Sequence, residues 1–446
     1  MASLRPTKIT TDEGFETAVS DKLIRYGGPW AKVQIKSAHG SWLYDPAGKK
    51  ILDFTSGQMS SVLGHSHPEL VEVIKKQCEN LMHLNLVMVS DPVLDCATAV
   101  TSMLPKGLDK CLFVSTGSET NEVAIKMAKV YTGKFEVIAL SAGYHGMTHG
   151  SAAATFSYGR HAAGPSVPGT FILPTPYPYR SPFRHPDGTY DWKSELDYGF
   201  ALIDRQSSGS LACLVIEGIV STGGILPLPD GYLKAIKEEC VKRGMLLIID
   251  EAQTGFGRTG SNFAFEYYGV VPDILTLSKT LGAGLPLGAV VTSTEIERVW
   301  HEKRGYYGTT HMNDPLVCAV GAKVVEIIKR DNMAEQSATK GKFMKTAFEK
   351  LKEKYSVIGE VRGRGLMIGV EFVQDPVSKV PAENLGQAIA ARCMETGLSC
   401  NIVQLPGMGG SFRMAPPLTI TEDEILEGVQ IFDEAIAWCL QRGFNT

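Results

Sequence analysis

Two short apolar runs set the frame of the chain. Residues 245–249, MLLII, stop on Asp250 and Glu251; residues 274–277, ILTL, stop on Ser278 and Lys279. Unbroken apolar runs of this length suit strands buried on both faces of a parallel sheet. Similar runs at 111–114, 136–140 and 211–216 predict an alternating α/β unit with a parallel-containing sheet. Upstream, 42–45 and 50–54 read as two strands around the turn DPAGKK, and 55–68 as a glycine-, serine- and histidine-rich loop. Pro68 fits the first turn of the helix PELVEVIKKQCENL. From 317 the pattern is helical through 354, and 358–372 reads as strands around RGRG. Thr421 to Glu424 fits a capping box, and Ile425, Val429, Phe432 and Ile436 form the apolar face of the helix that follows. Residues 1–21 are polar, and either loosely ordered or laid over a partner subunit.

At 446 residues the chain exceeds one typical core, so two or more packed units are expected. Without a repeat or a low-complexity linker, these units should pack tightly. The expected division is an N-terminal segment, 1–66, joining a small C-terminal domain, 321–446, beside a large domain, 67–320. A net charge of −4 without a basic cluster gives no reason to propose nucleic acid or membrane partners. No apolar stretch is long enough to span a bilayer, and MASLRPTKITTDEGFE lacks the apolar core of a signal peptide. Nine dispersed cysteines without CxxC spacing read as reduced thiols, with the cytosol as the expected compartment.

If the runs are parallel strands, their carboxyl ends gather the ligand. Asp250 and Lys279 then meet at one sheet end. A lysine that forms a Schiff base and an acid that holds a pyridinium nitrogen are what pyridoxal phosphate (PLP) requires. The turn STGS, 115–118, joins a strand to a helix; it is an anion site or a plain helix cap. Tyr144 is a core aromatic or a stacking ring, and His145 a site or structural histidine. His65 and His67 lack a third ligand at metal spacing.

DEAQTGFGRTG followed by PDILTLSKTLGAGLPLG resembles the signature of the class III (omega) aminotransferases, PLP enzymes of fold type I. Within that family LDFTSGQMS and NIVQLPGMGG are most similar to the 2,2-dialkylglycine decarboxylases, and the likeness runs from about Tyr26 to about Trp438. The resemblance implies a large domain built on a mostly parallel seven-stranded sheet, plus a smaller α+β domain. It assigns Lys279 to the PLP Schiff base and to proton transfer, and Asp250 to the ring nitrogen. Gln253 falls to the ring hydroxyl, Tyr144 and His145 to the ring's surroundings, and Thr116, Gly117 and Ser118 to the phosphate. Thr310 matches a threonine that reaches the phosphate from a neighbouring subunit, which implies a homodimer with shared sites, or a tetramer of such dimers.

For the substrate, Arg413 matches the family's carboxylate-binding arginine, whose planar fork suits that group. Where omega-aminotransferases have EP-[VI]-QGEGG, this chain has EGIVSTGG, so Thr222 replaces a glutamate that can pair with the arginine. Met147 stands where many members have an arginine. Gln58, beside Met59 and with Asn401 implied nearby, matches the decarboxylase amide that holds a carboxylate perpendicular to the ring. The expected cycle takes a dialkylglycine such as 2-aminoisobutyrate to CO2 and a ketone, then passes the amino group to pyruvate or a similar 2-oxo acid. The alternative is a class III aminotransferase without obligatory decarboxylation; a non-catalytic PLP-binding protein is a third reading, opposed by the presence of both Lys279 and Asp250. The decarboxylases also bind an alkali cation. Asp314 matches one ligand, but Leu86 replaces a serine hydroxyl and offers only its backbone oxygen, which argues against potassium dependence.

Overall fold

The apolar runs come together in one seven-stranded sheet. Its order is Lys110–Val114, Gly288–Thr292, Ile274–Leu277, Leu246–Asp250, Leu211–Glu217, Glu136–Leu140 and Thr170–Leu173. Gly288–Thr292 runs antiparallel to both neighbours, and the other pairs are parallel. The structure is a computed structural model and describes residues 12–26, 30–157, 164–403 and 409–444.

Period-two alternation sends the central strands into two cores. Cys213, Val215, Leu246, Ile248 and Ile274 pack with Val123, Ala124 and Met127 of the helix Gly117–Thr132. Leu214, Ile216, Leu247, Ile249 and Leu275 join the larger core on the opposite face. Each such side chain contributes about 1.5–3 kcal/mol by leaving water, so the central strand ends are held rigidly. The antiparallel strand Gly288–Thr292 was not expected. Its GAVVT run follows GLPL closely, and the glycines there read as loop.

Three other expectations change. Residues 317–354 are two helices, Pro315–Arg330 and Met333–Lys354. Asn332 between them lies at φ 48°, a left-handed conformation that asparagine tolerates and that ends the first helix. The polar N-terminal stretch contains the helix Asp12–Lys22; residues 1–11 fall outside the described residues. The 55–68 loop contains a turn of left-handed backbone at Ser56–Met59.

Two four-stranded sheets and a two-stranded antiparallel ribbon, Ile219–Val220 with Leu226–Pro227, make up the other sheets of the described residues. Ser37–His39, Trp42–Tyr44 and Lys50–Asp53 form a meander that Leu398–Ser399 extends in parallel. Ile358–Arg364, Met367–Phe372, Ser411–Met414 and Asn401–Ile402 form an antiparallel sheet. Phe372 and Phe412 of this sheet meet Phe432 edge to face. Phe432 lies on the helix Glu422–Gln441, whose capping box is formed by Thr421 and Glu424 as the pattern predicts. Glu424 also accepts Trp42 Nε1 at 2.7 Å and Ser41 Oγ at 3.2 Å, so the cap ties the N-terminal meander to the C-terminal helix. Among the described residues, no helix is long and apolar enough to cross a membrane.

Candidate active site

Asp250 and Glu217 end adjacent parallel strands and stand in register. Asp250 Oδ2 accepts His145 Nδ1 at 2.9 Å and Asn121 Nδ2 at 2.8 Å, and Oδ1 accepts the Ala252 amide at 3.1 Å. Burial alone would raise the Asp250 pKa. The bonds from His145 and Asn121, with the charges of His145 and Lys279, outweigh it and hold the carboxyl below its ordinary value. Glu217 accepts the amides of Tyr144 at 3.2 Å and Ser221 at 3.1 Å. Burial dominates there and pushes its carboxyl up to about 7, with Asp250 adding to the rise and His145 opposing it. Two neighbouring acids thus have opposed environments: Asp250 is held below its ordinary value and Glu217 is pushed above it.

Lys279 opens a short 3-10 turn, Lys279–Gly282, directly after Ser278. Its φ is 37°, a strained value for a side chain with a Cβ. Burial depresses its amine below the ordinary lysine value; Asp250 and Glu217 oppose that shift and Arg413 reinforces it. Such an amine loses its proton more readily than a surface lysine, which a nucleophile requires.

Beside Lys279 stands the N-terminus of Gly117–Thr132. Thr116 caps it, its Oγ1 accepting the Glu119 amide while Glu119 Oε2 accepts the amides of Ser115 and Thr116. The turn is therefore a helix cap and also carries the dipole of a 16-residue helix. A Cβ on Gly117 would lie 2.7 Å from Ser278 Oγ, so only glycine permits this approach. Ser278 Oγ is buried without a hydrogen-bond partner, as is His145 Nε2. An unpaired buried Ser278 hydroxyl beside a helix N-terminus fits a phosphate oxygen, and the residues present therefore suit a phosphorylated cofactor.

In the segment expected to meet the substrate, Ser56, Gly57, Gln58 and Met59 all have positive φ, from 41° to 64°. Asp53 braces the turn by accepting the Thr55 amide at 2.8 Å and the Gly57 amide at 3.0 Å. Ser60 Oγ then donates to the Lys279 carbonyl at 3.2 Å, so the Gln58 turn abuts the lysine. Gln58 itself is exposed. Buried Met59 packs with Ile219, Ile225 and Met367 near the Thr222 loop. Ser221 Oγ of that loop donates to Gln253 Oε1 at 2.8 Å, and Thr222 is buried. Arg413 and Asn401 face each other across paired strands, and Asn401 Oδ1 accepts Nε at 3.0 Å and Nη2 at 2.6 Å. Asn401 Oδ1 thus braces Arg413, a contact the sequence had not indicated.

Met147 is exposed, its amide donating to Ser118 Oγ at 3.0 Å. Tyr144 is half-buried and Thr310 exposed. Asp314 accepts His83 Nδ1 at 2.5 Å and His311 Nδ1 at 2.6 Å, so two imidazoles already hold both its oxygens. Of the His65–His67 pair, His65 binds Asp53 Oδ2 at 2.8 Å, and neither joins a group of three ligands among the described residues.

Asn121, Ser278 and Glu217 were missed as site residues. The one signal for Asn121 was a poor helix former one turn inside a helix. Glu217 ends its strand as Asp250 does, and that parallel could have been read. Nothing in the local sequence marks Ser278.

A family model described as aminotransferase class-III matches residues 26–436. The chain is 51% identical to an uncharacterized aminotransferase of Schizosaccharomyces pombe over 424 residues, 95% of each chain. It is 37% identical to an Arabidopsis thaliana protein named alanine–glyoxylate aminotransferase 2 homolog 2, over 86% of this chain and 78% of the relative. A Bacillus anthracis aminotransferase structure superposes with a TM-score of 0.89 at 29% identity, covering 96% of this chain and 99% of that one. The omega transaminase of Pseudomonas jessenii, solved in complex with PMP, also gives 0.89, at 26% identity and 96% and 98% coverage. The chain belongs to the class III aminotransferases, the fold type I enzymes that move amino groups with pyridoxal phosphate.

Proposed function

We propose that this site moves the amino group of a small α-amino acid to a small 2-oxo acid, with the substrate carboxylate held by Arg413. The observation that carries the reading is the brace on Arg413: a neutral amide oxygen receives Nε and Nη2. An amide orients the guanidinium without cancelling its charge, which leaves it suited to a carboxylate from the substrate. Thr222, where many relatives carry a glutamate, adds no negative charge to the pocket. The Arabidopsis relative's name pairs alanine with glyoxylate, a small amino acid with a small 2-oxo acid.

Bound PLP supplies an electron-accepting ring for a bond broken at the substrate Cα. Asp250, kept ionised by His145 and Asn121, holds the charge of a protonated ring nitrogen. Gln253 takes the ring hydroxyl, Tyr144 the ring face, and Thr116, Gly117, Ser118 and Ser278 the phosphate. Lys279 moves the proton at Cα, a role suited to its depressed basicity. Exposed Thr310 serves the phosphate of a second protomer. The exposed apolar loop side chains Val87, 76% accessible, and Met88, 57%, supply surface for that contact.

One observation favours a second reading, decarboxylation of 2,2-dialkylglycines. The left-handed turn that carries Gln58 is bonded to the backbone of Lys279. A neutral amide placed there can hold a carboxylate without neutralising it, so that the C–CO2 bond is the one that breaks. Mixing the holoenzyme with 2-aminoisobutyrate, without any 2-oxo acid, separates the two readings. One CO2 and one acetone per site establishes the second; amino transfer from L-alanine without CO2 from 2-aminoisobutyrate leaves only the first.

A further inference from the structure

Arg258 is the largest side chain that is wholly buried, and it makes no ion pair among the described residues. A buried cation without a carboxylate is costly unless other acceptors satisfy its donors. Its retention calls for a reason in what it touches. Nη1 donates to the carbonyls of Pro416 and, at 3.2 Å, Leu366; Nη2 donates to Ser56 Oγ at 3.3 Å. Ser56 Oγ in turn donates to the Ala415 carbonyl at 2.7 Å.

These partners are not scattered. Ser56 begins the left-handed turn that carries Gln58, and Ala415 and Pro416 follow the strand Ser411–Met414 that carries Arg413. Leu366 lies in the RGRG turn between Ile358–Arg364 and Met367–Phe372, the strand next to Ser411–Met414. The Arg258 carbonyl is fixed as well, by Ser337 Oγ at 2.8 Å and the Leu366 amide at 3.1 Å. One guanidinium thus joins the two segments that present Gln58 and Arg413, which lie on opposite sides of Lys279 in the sequence. Left-handed φ at Ser56, Gln58 and Met59 costs energy at each residue and persists only where surrounding bonds over-determine it. Arginine suits the task because its fork is rigid and reaches several acceptors at fixed angles.

We propose that Arg258 is a positioning residue that sets the Gln58 turn and the Arg413 strand relative to each other, and thereby sets how the substrate carboxylate is held. The proposal rests on the assignment of Arg413 and Gln58 to substrate carboxylates. Its burial pushes its pKa down only to about 9, so the guanidinium remains charged at neutral pH.

The test compares wild-type holoenzyme with Arg258→Lys, Arg258→Met and Ser56→Ala. Isobutyrate, which has the carbon frame of 2-aminoisobutyrate but no amine to react, serves as the binding probe in calorimetry. Arg258→Lys and Arg258→Met should weaken isobutyrate binding and raise KM for L-alanine at least tenfold, with a smaller fall in kcat. Ser56→Ala, the mildest change, should move both in the same direction by three- to fivefold. Tm is recorded for every variant. A lowered Tm with isobutyrate affinity and KM within twofold of wild type in Arg258→Lys and Ser56→Ala would make Arg258 a structural residue only and overturn the proposal. Wild-type enzyme that does not bind isobutyrate, or Arg413→Ala that binds it as wild type does, would instead refute the carboxylate assignment itself.

Discussion

Asn401→Asp is the most direct test of how Arg413 works. The substitution is isosteric and leaves the 2.6 Å and 3.0 Å bonds geometrically possible, but it turns a neutral brace into a charged one. A substrate carboxylate bound to the Arg413 guanidinium would then sit about 6 Å from the new carboxylate. At an effective dielectric of about 20, that repulsion is about 3 kcal/mol. Both Arg413 and Asn401 are half-buried, so water reduces it, and a range of about 1.5–3 kcal/mol is expected. KM for L-alanine should therefore rise ten- to hundredfold, while KM for isopropylamine, which has no carboxylate, should change little or fall. The Arg413 charge also depresses the Lys279 amine. Partial neutralisation should raise that pKa and shift the rate profile to higher pH. Steady-state kinetics with the two donors across pH 6 to 10 reads both effects. If KM for L-alanine in Asn401→Asp stays within twofold of wild type, Arg413 does not bind the substrate carboxylate.

Gln58→Ala should reduce any CO2 release from 2-aminoisobutyrate ten- to hundredfold, the worth of one or two bonds to a charged group, and reduce L-alanine–pyruvate exchange less than fivefold; equal losses in both would remove Gln58 from reaction selection. Glu251 is fully buried, accepts the amides of Ala264 and Phe265, and is pushed by burial from 4.5 up to about 7. A carboxyl raised on folding contributes stability that is complete below 4.5 and lost as pH rises through 7. Glu251→Gln, which cannot ionise, should gain relative to wild type between pH 5 and pH 8 by about 3 kcal/mol, read as Tm against pH; parallel curves would show that Glu251 ionises freely in the folded state. Exchange of potassium for sodium or lithium should alter turnover less than twofold, because Leu86 supplies no hydroxyl and Asp314 is held by His83 and His311. A larger change would show that a cation does take part in turnover.

What the chain disclosed in advance follows the range of the forces involved. The buried strands at 211–216, 245–249 and 274–277 were legible because each announces itself by composition, and the residues that end them, Asp250 and Lys279, were legible for the same reason. The Thr421 cap was legible because both of its partners lie within three residues. The chemistry at the sheet end depended on longer connections. Asn121 and His145 reach Asp250 across 129 and 105 residues, and nothing in their neighbourhoods marks them as partners. The left-handed turn at Ser56–Met59 is less legible still, since three of its four residues are not glycine and local preference opposes the conformation. It forms because Asp53 accepts the turn's own amides while Ser56 finds partners, Ala415 and Arg258, that are placed by tertiary packing. The resemblance pointed to Gln58 and Arg413 one residue at a time. That Asn401 braces one and Arg258 connects both follows from strand register and core contacts, which one-dimensional pattern does not encode. If Gln58 and Arg413 hold the substrate carboxylate as proposed, substrate choice depends on how those two segments are tied together as much as on the two residues, and substitutions in the buried tie should alter specificity while leaving Lys279 and its acid intact.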